Sequence, residues 1–179
     1  PKKARPRLYY GWVIVFASLA IIAVVVGLSN GFGVFFRPLL QEFGWTRAVT
    51  AGVFSLGNIF QGATAILVGL VTNRYGARKL LFLAGILVGA SLILASGTTT
   101  LWQFYIYFGL LQGIGRGIPY NLLMAVIARW FTYRRGLAIG VTLSGGGVGT
   151  ILIPLLANFL IERFDWRTTF LVFGLLLGG

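Results

Sequence analysis

Cysteine and histidine are both absent from this chain of 179 residues, and only three side chains are acidic. The first absence excludes a disulfide framework and Cys/His metal sites, and the second excludes a histidine proton relay. Charge is scarce as a whole. Only 10% of residues are Asp, Glu, Lys or Arg, whereas a water-soluble domain carries about 25% to keep its surface wetted. With 58% hydrophobic residues, lipid must cover what water cannot.

The few charges are segregated. None lies between Leu8 and Phe36, Ala48 and Asn73, Leu80 and Gly115, or Gly136 and Ile161. A spanning helix needs about 20 apolar residues to cross ~30 Å of hydrocarbon. Each run suffices for one crossing, and the third for two short ones, divided at Ser96-Gly97-Thr98-Thr99-Thr100. Six segments are therefore predicted: Tyr10–Phe36, Ala48–Thr72, Lys79–Ala95, Leu101–Ala128, Gly136–Ile161 and Trp166 onward. This makes an all-α polytopic membrane protein, with a basic segment over 1–9 and a six-helix bundle over 10–179. The sixth segment is too short for a full span and reads as cut within or just after its helix. The first apolar run is too long for a signal-peptide core and is kept as a mature helix.

The net charge of +12 does not indicate nucleic-acid binding, because the basic residues lie between spans rather than on one soluble face. They report orientation instead. With the N-terminus inside, the cytoplasmic segments hold ten basic residues (Lys2, Lys3, Arg5, Arg7, Arg74, Arg78, Lys79, Arg129, Arg134, Arg135). The other side holds four (Arg37, Arg47, Arg163, Arg167) together with Glu42, Glu162 and Asp165. The positive-inside bias sets that topology. All five tryptophans (12, 45, 102, 130, 166) fall at segment ends, where an indole suits the headgroup level.

Arg116 is the one formal charge inside a predicted span. At bilayer depth it costs at least ~2.5 kcal/mol unless it faces an interior or a cavity. Gln112, Arg116 and Tyr120 share an i, i+4, i+8 stripe, beside Gly109, Gly113 and Gly117, where a second helix can pack closely. The stripe is expected to face inward, and the guanidinium offers a fork that fits a carboxylate. The alternative is that Arg116 pairs with a group outside this chain or caps helix carbonyls. Tyr120 and Asn121 follow Pro119, which can kink a helix. Leu28 and Asn30 on the first segment, and Asn58 and Gln61 on the second, bring small or polar groups into apolar runs as pocket walls. Glu162 and Asp165, beside Arg163 and Arg167, read as a surface charge cluster. No nucleophile, metal set or phosphate loop accompanies them, so no enzyme, cofactor or metal is expected.

Two loops carry a resemblance. Gly69-Leu-Val-Thr-Asn73-Arg74-Tyr75-Gly76-Ala77-Arg78-Lys79 resembles the loop motif of the major facilitator superfamily, with Asn73 where that family usually has Asp. Arg129-Trp130-Phe131-Thr-Tyr133-Arg134-Arg135-Gly136-Leu137-Ala138-Ile-Gly140, continuing through Gly145 to Gly149, resembles the fifth-helix signature of monocarboxylate transporters and oxalate/formate exchangers. Gln112-Gly113-Ile-Gly115 is similar to a fourth-helix pattern of the superfamily. Tyr10-Gly11-Trp12-Val13 lacks the acidic first-helix signature of animal monocarboxylate carriers, which favours the bacterial exchanger-like side and a bacterial cytoplasmic membrane. The resemblance implies the N-terminal half of a twelve-helix secondary transporter. Its substrate would be a small organic anion of the lactate, pyruvate, formate or oxalate class, moved by proton symport or anion exchange. Its partners would be membrane lipid and a C-terminal six-helix half. A carrier for another solute, or a non-transporting membrane sensor, is the alternative.

Overall fold

The computed structural model describes residues 6–131 and 134–178, with side chains described outside 6–10 and 73–75. Among them every element is helical. In hydrocarbon a backbone must satisfy its own hydrogen bonds, and the helix does so within one segment. Helix α1 is Pro6–Phe43, α2 Arg47–Tyr75 and α3 Ala77–Ser96. Helix α4 runs over 101–130 and consists of Leu101–Phe104, a π-helical stretch Tyr105–Leu111, and Gln112–Trp130. Helix α5 is Arg135–Phe164 and α6 is Trp166–Gly178. Tyr133 of the signature lies outside the described residues.

Among the described residues four helices are long and apolar enough to cross a membrane: Gly11–Phe43, Arg47–Thr72, Ala77–Ser96 and Arg135–Phe164. The π-helical stretch divides α4, and α6 is a shorter apolar helix. Helix α1 passes beyond the predicted end at Phe36, through Pro38, to Phe43. Hydropathy marks where hydrocarbon ends, whereas helical hydrogen bonding continues into the interface. The turns are short. Thr46 caps α2 by accepting from Val49 N at 3.3 Å, and Gln103 returns to Thr99 N and Thr100 N at 3.1 and 3.3 Å. Gly76 alone joins α2 to α3 at φ +80°, a conformation that strains any residue with a Cβ.

Neighbours in sequence are not the principal neighbours in space. Helix α1 packs along α5, α2 along α4, and α3 along both α6 and α4. Exchanging α1–α3 for α4–α6 maps the pairs α1·α5, α2·α4 and α3·α6 onto themselves. This is the signature of an inverted three-plus-three repeat. Small residues make the close crossings. A Cβ on Gly113 would lie 2.6 Å from the Gly57 carbonyl, and one on Gly117 2.6 Å from the Gln61 carbonyl. A Cβ on Gly145 or Gly149 would collide with the carbonyls of Leu19 and Ala23. The glycines on the α4 and α5 stripes therefore let backbones touch.

An aromatic core fills the end of the bundle where α1 gives way to α2 and α5 to α6. Phe35 and Phe170 stack at 4.3 Å, Phe104 and Phe108 at 5.3 Å, and Phe108 and Phe170 at 5.7 Å. The outside is correspondingly apolar. Leu70, Ile66, Phe82 and Leu176 are 70–74% exposed, a surface that only lipid or another apolar partner can cover.

Candidate functional site

The chemistry concentrates where α1, α2 and α4 meet. Arg116 is 1% exposed and donates from Nη1 to Ser29 Oγ at 2.8 Å. That hydroxyl in turn donates to the Val25 carbonyl at 2.9 Å. The guanidinium carbon stands 5.9 Å from the Phe54 ring centre. Its Nε and Nη2 have no hydrogen-bond partner, and neither do the amide atoms of Gln112, which is fully buried one turn earlier. Donors left unpaired in a low-dielectric interior are costly. The placement agrees with the inward-facing arginine read from the sequence, and no carboxylate bonds to it among the described residues.

Arg116 lines one of two cavities here, and its neighbour Gly117 lines the other. One, of about 300 Å³, is apolar and is lined by Val24, Val25, Leu28, Val88, Pro119 and Arg116, among others. The second, of about 370 Å³, is an open polar groove between α2 and α4 formed by Asn58, Gln61, Gly62, Ala65, Gly117, Tyr120 and Asn121. The predicted site residues are thus divided. Asn58, Tyr120 and Asn121 share the groove, while Gln112 and Arg116 are buried behind it. Leu28 lines the apolar cavity and is not a wall of the polar one. Tyr120, expected to face inward with Arg116, is 40% exposed. It stands one i, i+4 step from Arg116, about 40° further round the helix, and lines the open groove rather than the core. Asn30 is exposed and donates from Nδ2 to Thr150 Oγ1 at 3.0 Å, linking α1 to α5.

The loop-motif residues divide likewise. Gly69, Gly76 and Arg78 are exposed, and a Cβ on Gly69 would meet no atom within 4 Å, so packing does not require that glycine. The side chains of Asn73 and Arg74 lie outside those described. In the fifth-helix signature, Phe131 is buried and stands edge-on to Trp12 at 6.0 Å. Trp130 is half exposed. Arg134 takes a left-handed backbone at φ 63°, while Arg135 donates to the carbonyls of Ala128 and Phe131 at the end of α4. Gly136 and Gly140 face open space, and Gly145 and Gly149 lie against α1.

Sequence reasoning missed a clamp at the start of α6. Arg167 pairs with Glu42 at 2.8 Å, not with Glu162 or Asp165 as a surface cluster would suggest, and it also donates to the carbonyls of Ser96 at 2.8 Å and Thr98 at 3.0 Å. Trp166 is 1% exposed and donates its indole N–H to Glu42. It is a core anchor rather than a headgroup-level residue. Glu162 accepts from Asn158, and Asp165 from the backbone N–H of Trp166.

The comparisons with known proteins agree with this architecture. The chain is 33% identical over 168 residues to monocarboxylate transporter 3 of Mus musculus, covering 94% of this chain and 34% of that protein. It is 30% identical over 165 residues to monocarboxylate transporter 12 of Homo sapiens, covering 92% and 32%. It is 28% identical over 172 residues to monocarboxylate transporter 12 of Xenopus laevis, covering 96% and 37%. The chain thus spans about a third of the length of these curated relatives. A family profile for the Major Facilitator Superfamily matches residues 18–178, and the chain belongs to that family of membrane transporters.

Proposed function

We propose that the chain forms the N-terminal six-helix half of a secondary transporter for small organic anions of the lactate, pyruvate, formate or oxalate class. The observation that carries the reading is Arg116. A permanent charge at bilayer depth, buried and lacking a carboxylate partner among the described residues, suits a carboxylate that arrives and leaves. Relatives named monocarboxylate transporters support the substrate class. The groove residues Asn58, Gln61, Tyr120 and Asn121 supply polar contacts that lipid would penalise. A second six-helix bundle covers this face, and alternating access rocks one bundle on the other.

The N-terminus is cytoplasmic on this reading, from the distribution of basic residues. A bacterial cytoplasmic membrane is supported by Tyr10-Gly11-Trp12-Val13 alone, since the relatives named are animal proteins. Among the described residues Glu42, Glu162 and Asp165 are the only carboxylates, all at the outer ends of helices. Arginine is a poor proton carrier because its guanidinium holds its proton far above physiological pH in water. Transport therefore proceeds by anion exchange, or with a proton bound in the second bundle.

The test is uptake of labelled carboxylates by the full-length carrier in proteoliposomes. Arg116→Gln should raise KM more than Arg116→Lys, because lysine keeps the charge and loses only the fork. A well-folded Gln variant with unaltered KM for every carboxylate tried would overturn the anion reading.

A further inference from the structure

The inverted repeat relates residues as well as helices. Gly149 on α5 sits between Ala23 and Gly27 of α1: its Cβ would strike the Ala23 carbonyl, and a Cβ on Gly27 would lie 2.6 Å from the Gly149 carbonyl. Gly57 on α2 sits between Gly109 and Gly113 of α4 in the same way, at 3.3 and 2.6 Å. Superposing these crossings aligns Gly27-Leu28-Ser29-Asn30-Gly31 with Gly113-Ile114-Gly115-Arg116-Gly117. Asn30 becomes the counterpart of Arg116, and Thr150 the counterpart of Asn58. In the α1·α5 crossing the two polar mates are joined, Asn30 to Thr150 at 3.0 Å. In the α2·α4 crossing they are apart: Asn58 lines the groove, while Arg116 is turned into the core onto Ser29.

We infer that the Arg116 guanidinium has a second seat beside Asn58 in the α2·α4 groove, and that it moves between Ser29 and this seat to present an anion site there. The route is short. Nη2, one of the two unpartnered nitrogens, already lies against Gly57, where a Cβ would stand only 2.9 Å away. Asn58 is the next residue. Glycine at 57 leaves the opening through which the planar guanidinium turns. Gln61 and Tyr120 in the groove supply polar groups to replace Ser29. In the core position two nitrogens go unused, and in the groove the fork is free to donate two parallel bonds to a carboxylate.

The inference rests on the anion-carrier reading for its ligand but not for its test. In the full-length carrier, with any cysteine outside residues 1–179 replaced, Gln61→Cys places one thiol in the groove. Its labelling rates with an anionic and a cationic methanethiosulfonate are measured in nanodiscs. A positive charge nearby favours the anionic reagent, and Arg116→Gln should lower the anionic-to-cationic ratio about tenfold for a partly hydrated site. Ser29→Ala weakens the buried seat and should raise the ratio above the parent value. Gly57→Ala should lower it to the Arg116→Gln value. If Gly57→Ala does not fold, the other two variants decide the matter. A ratio unmoved by Arg116→Gln, or unmoved by Ser29→Ala, overturns the second seat. If the ratio responds as expected while no carboxylate is taken up, the anion-carrier reading fails and the movement stands. Uptake that depends on Arg116 with an unresponsive ratio overturns the movement and leaves the anion carrier standing.

Discussion

The Arg167 clamp gives a prediction in which two contributions can be separated. Arg167 holds Glu42 through an ion pair whose side chains are 30% and 41% exposed. It also holds the carbonyls of Ser96 and Thr98 at the end of α3. An exposed pair contributes about 0.2–1 kcal/mol. A charged donor on a neutral carbonyl contributes about 1.5–3 kcal/mol, and partial exposure reduces that to about 1 kcal/mol for each of the two here. Arg167→Ala should therefore cost roughly 3 kcal/mol, while Glu42→Gln, which keeps an acceptor for the Trp166 indole and for Arg167, should cost about 1 kcal/mol or less. The fall in Tm should therefore be about threefold larger for Arg167→Ala than for Glu42→Gln. Differential scanning fluorimetry on detergent-solubilised carrier reads both, and intrinsic tryptophan emission serves as the signal because Trp166 is buried at the clamp. Equal losses for the two variants would put the energy in the ion pair and refute this apportionment. An unchanged Tm for Arg167→Ala would mean that the clamp contributes nothing.

Gly149→Val should destabilise more than Gly147→Val, because a Cβ at 149 meets the Ala23 carbonyl and one at 147 meets no atom within 4 Å. Overpacking of this kind costs about 1–3 kcal/mol or more, and thermal unfolding of the paired variants measures the difference. Single cysteines at Gly76 and Thr99, labelled in intact cells with an impermeant maleimide, should react only at Thr99, and labelling at Gly76 from outside would reverse the topology. Asn30→Ala removes the bond to Thr150 and should raise the labelling rate of a cysteine at Gly31 at the α1·α5 crossing, with little change in a cysteine at Gly62.

Much of the fold was legible because the membrane imposes simple rules. Runs without charge located the helices, and the glycines on α4 and α5 marked the close crossings. The ends were less legible: Pro38 and Glu42 read as loop residues, yet they lie within α1. The clamp was hidden because Glu42 and Arg167 are 125 residues apart, and nothing local distinguishes Arg167 from its neighbour Arg163. The candidate site was half legible. A lone arginine in an apolar run is conspicuous, and its burial follows from its cost in lipid. That Tyr120, one turn further on, lines an open groove instead depends on how α4 packs against α2, for which the sequence offers no periodic signal.

The pairing of α1 with α5 has a consequence for synthesis. Asn30 meets Thr150, 120 residues downstream, so the face of α1 that carries Ala23, Gly27 and Asn30 has no partner until α5 has been made. At 5–20 residues per second, that interval is about 6–24 s. During it a hydrophobic helix with a polar and glycine-bearing side rests in or beside the insertion machinery, and hydrophobicity alone cannot choose its neighbour there, since lipid tails are as apolar as leucine. Slow codons or a retained translocon contact between α3 and α5 would therefore affect the yield of assembled bundle more than the insertion of any single helix.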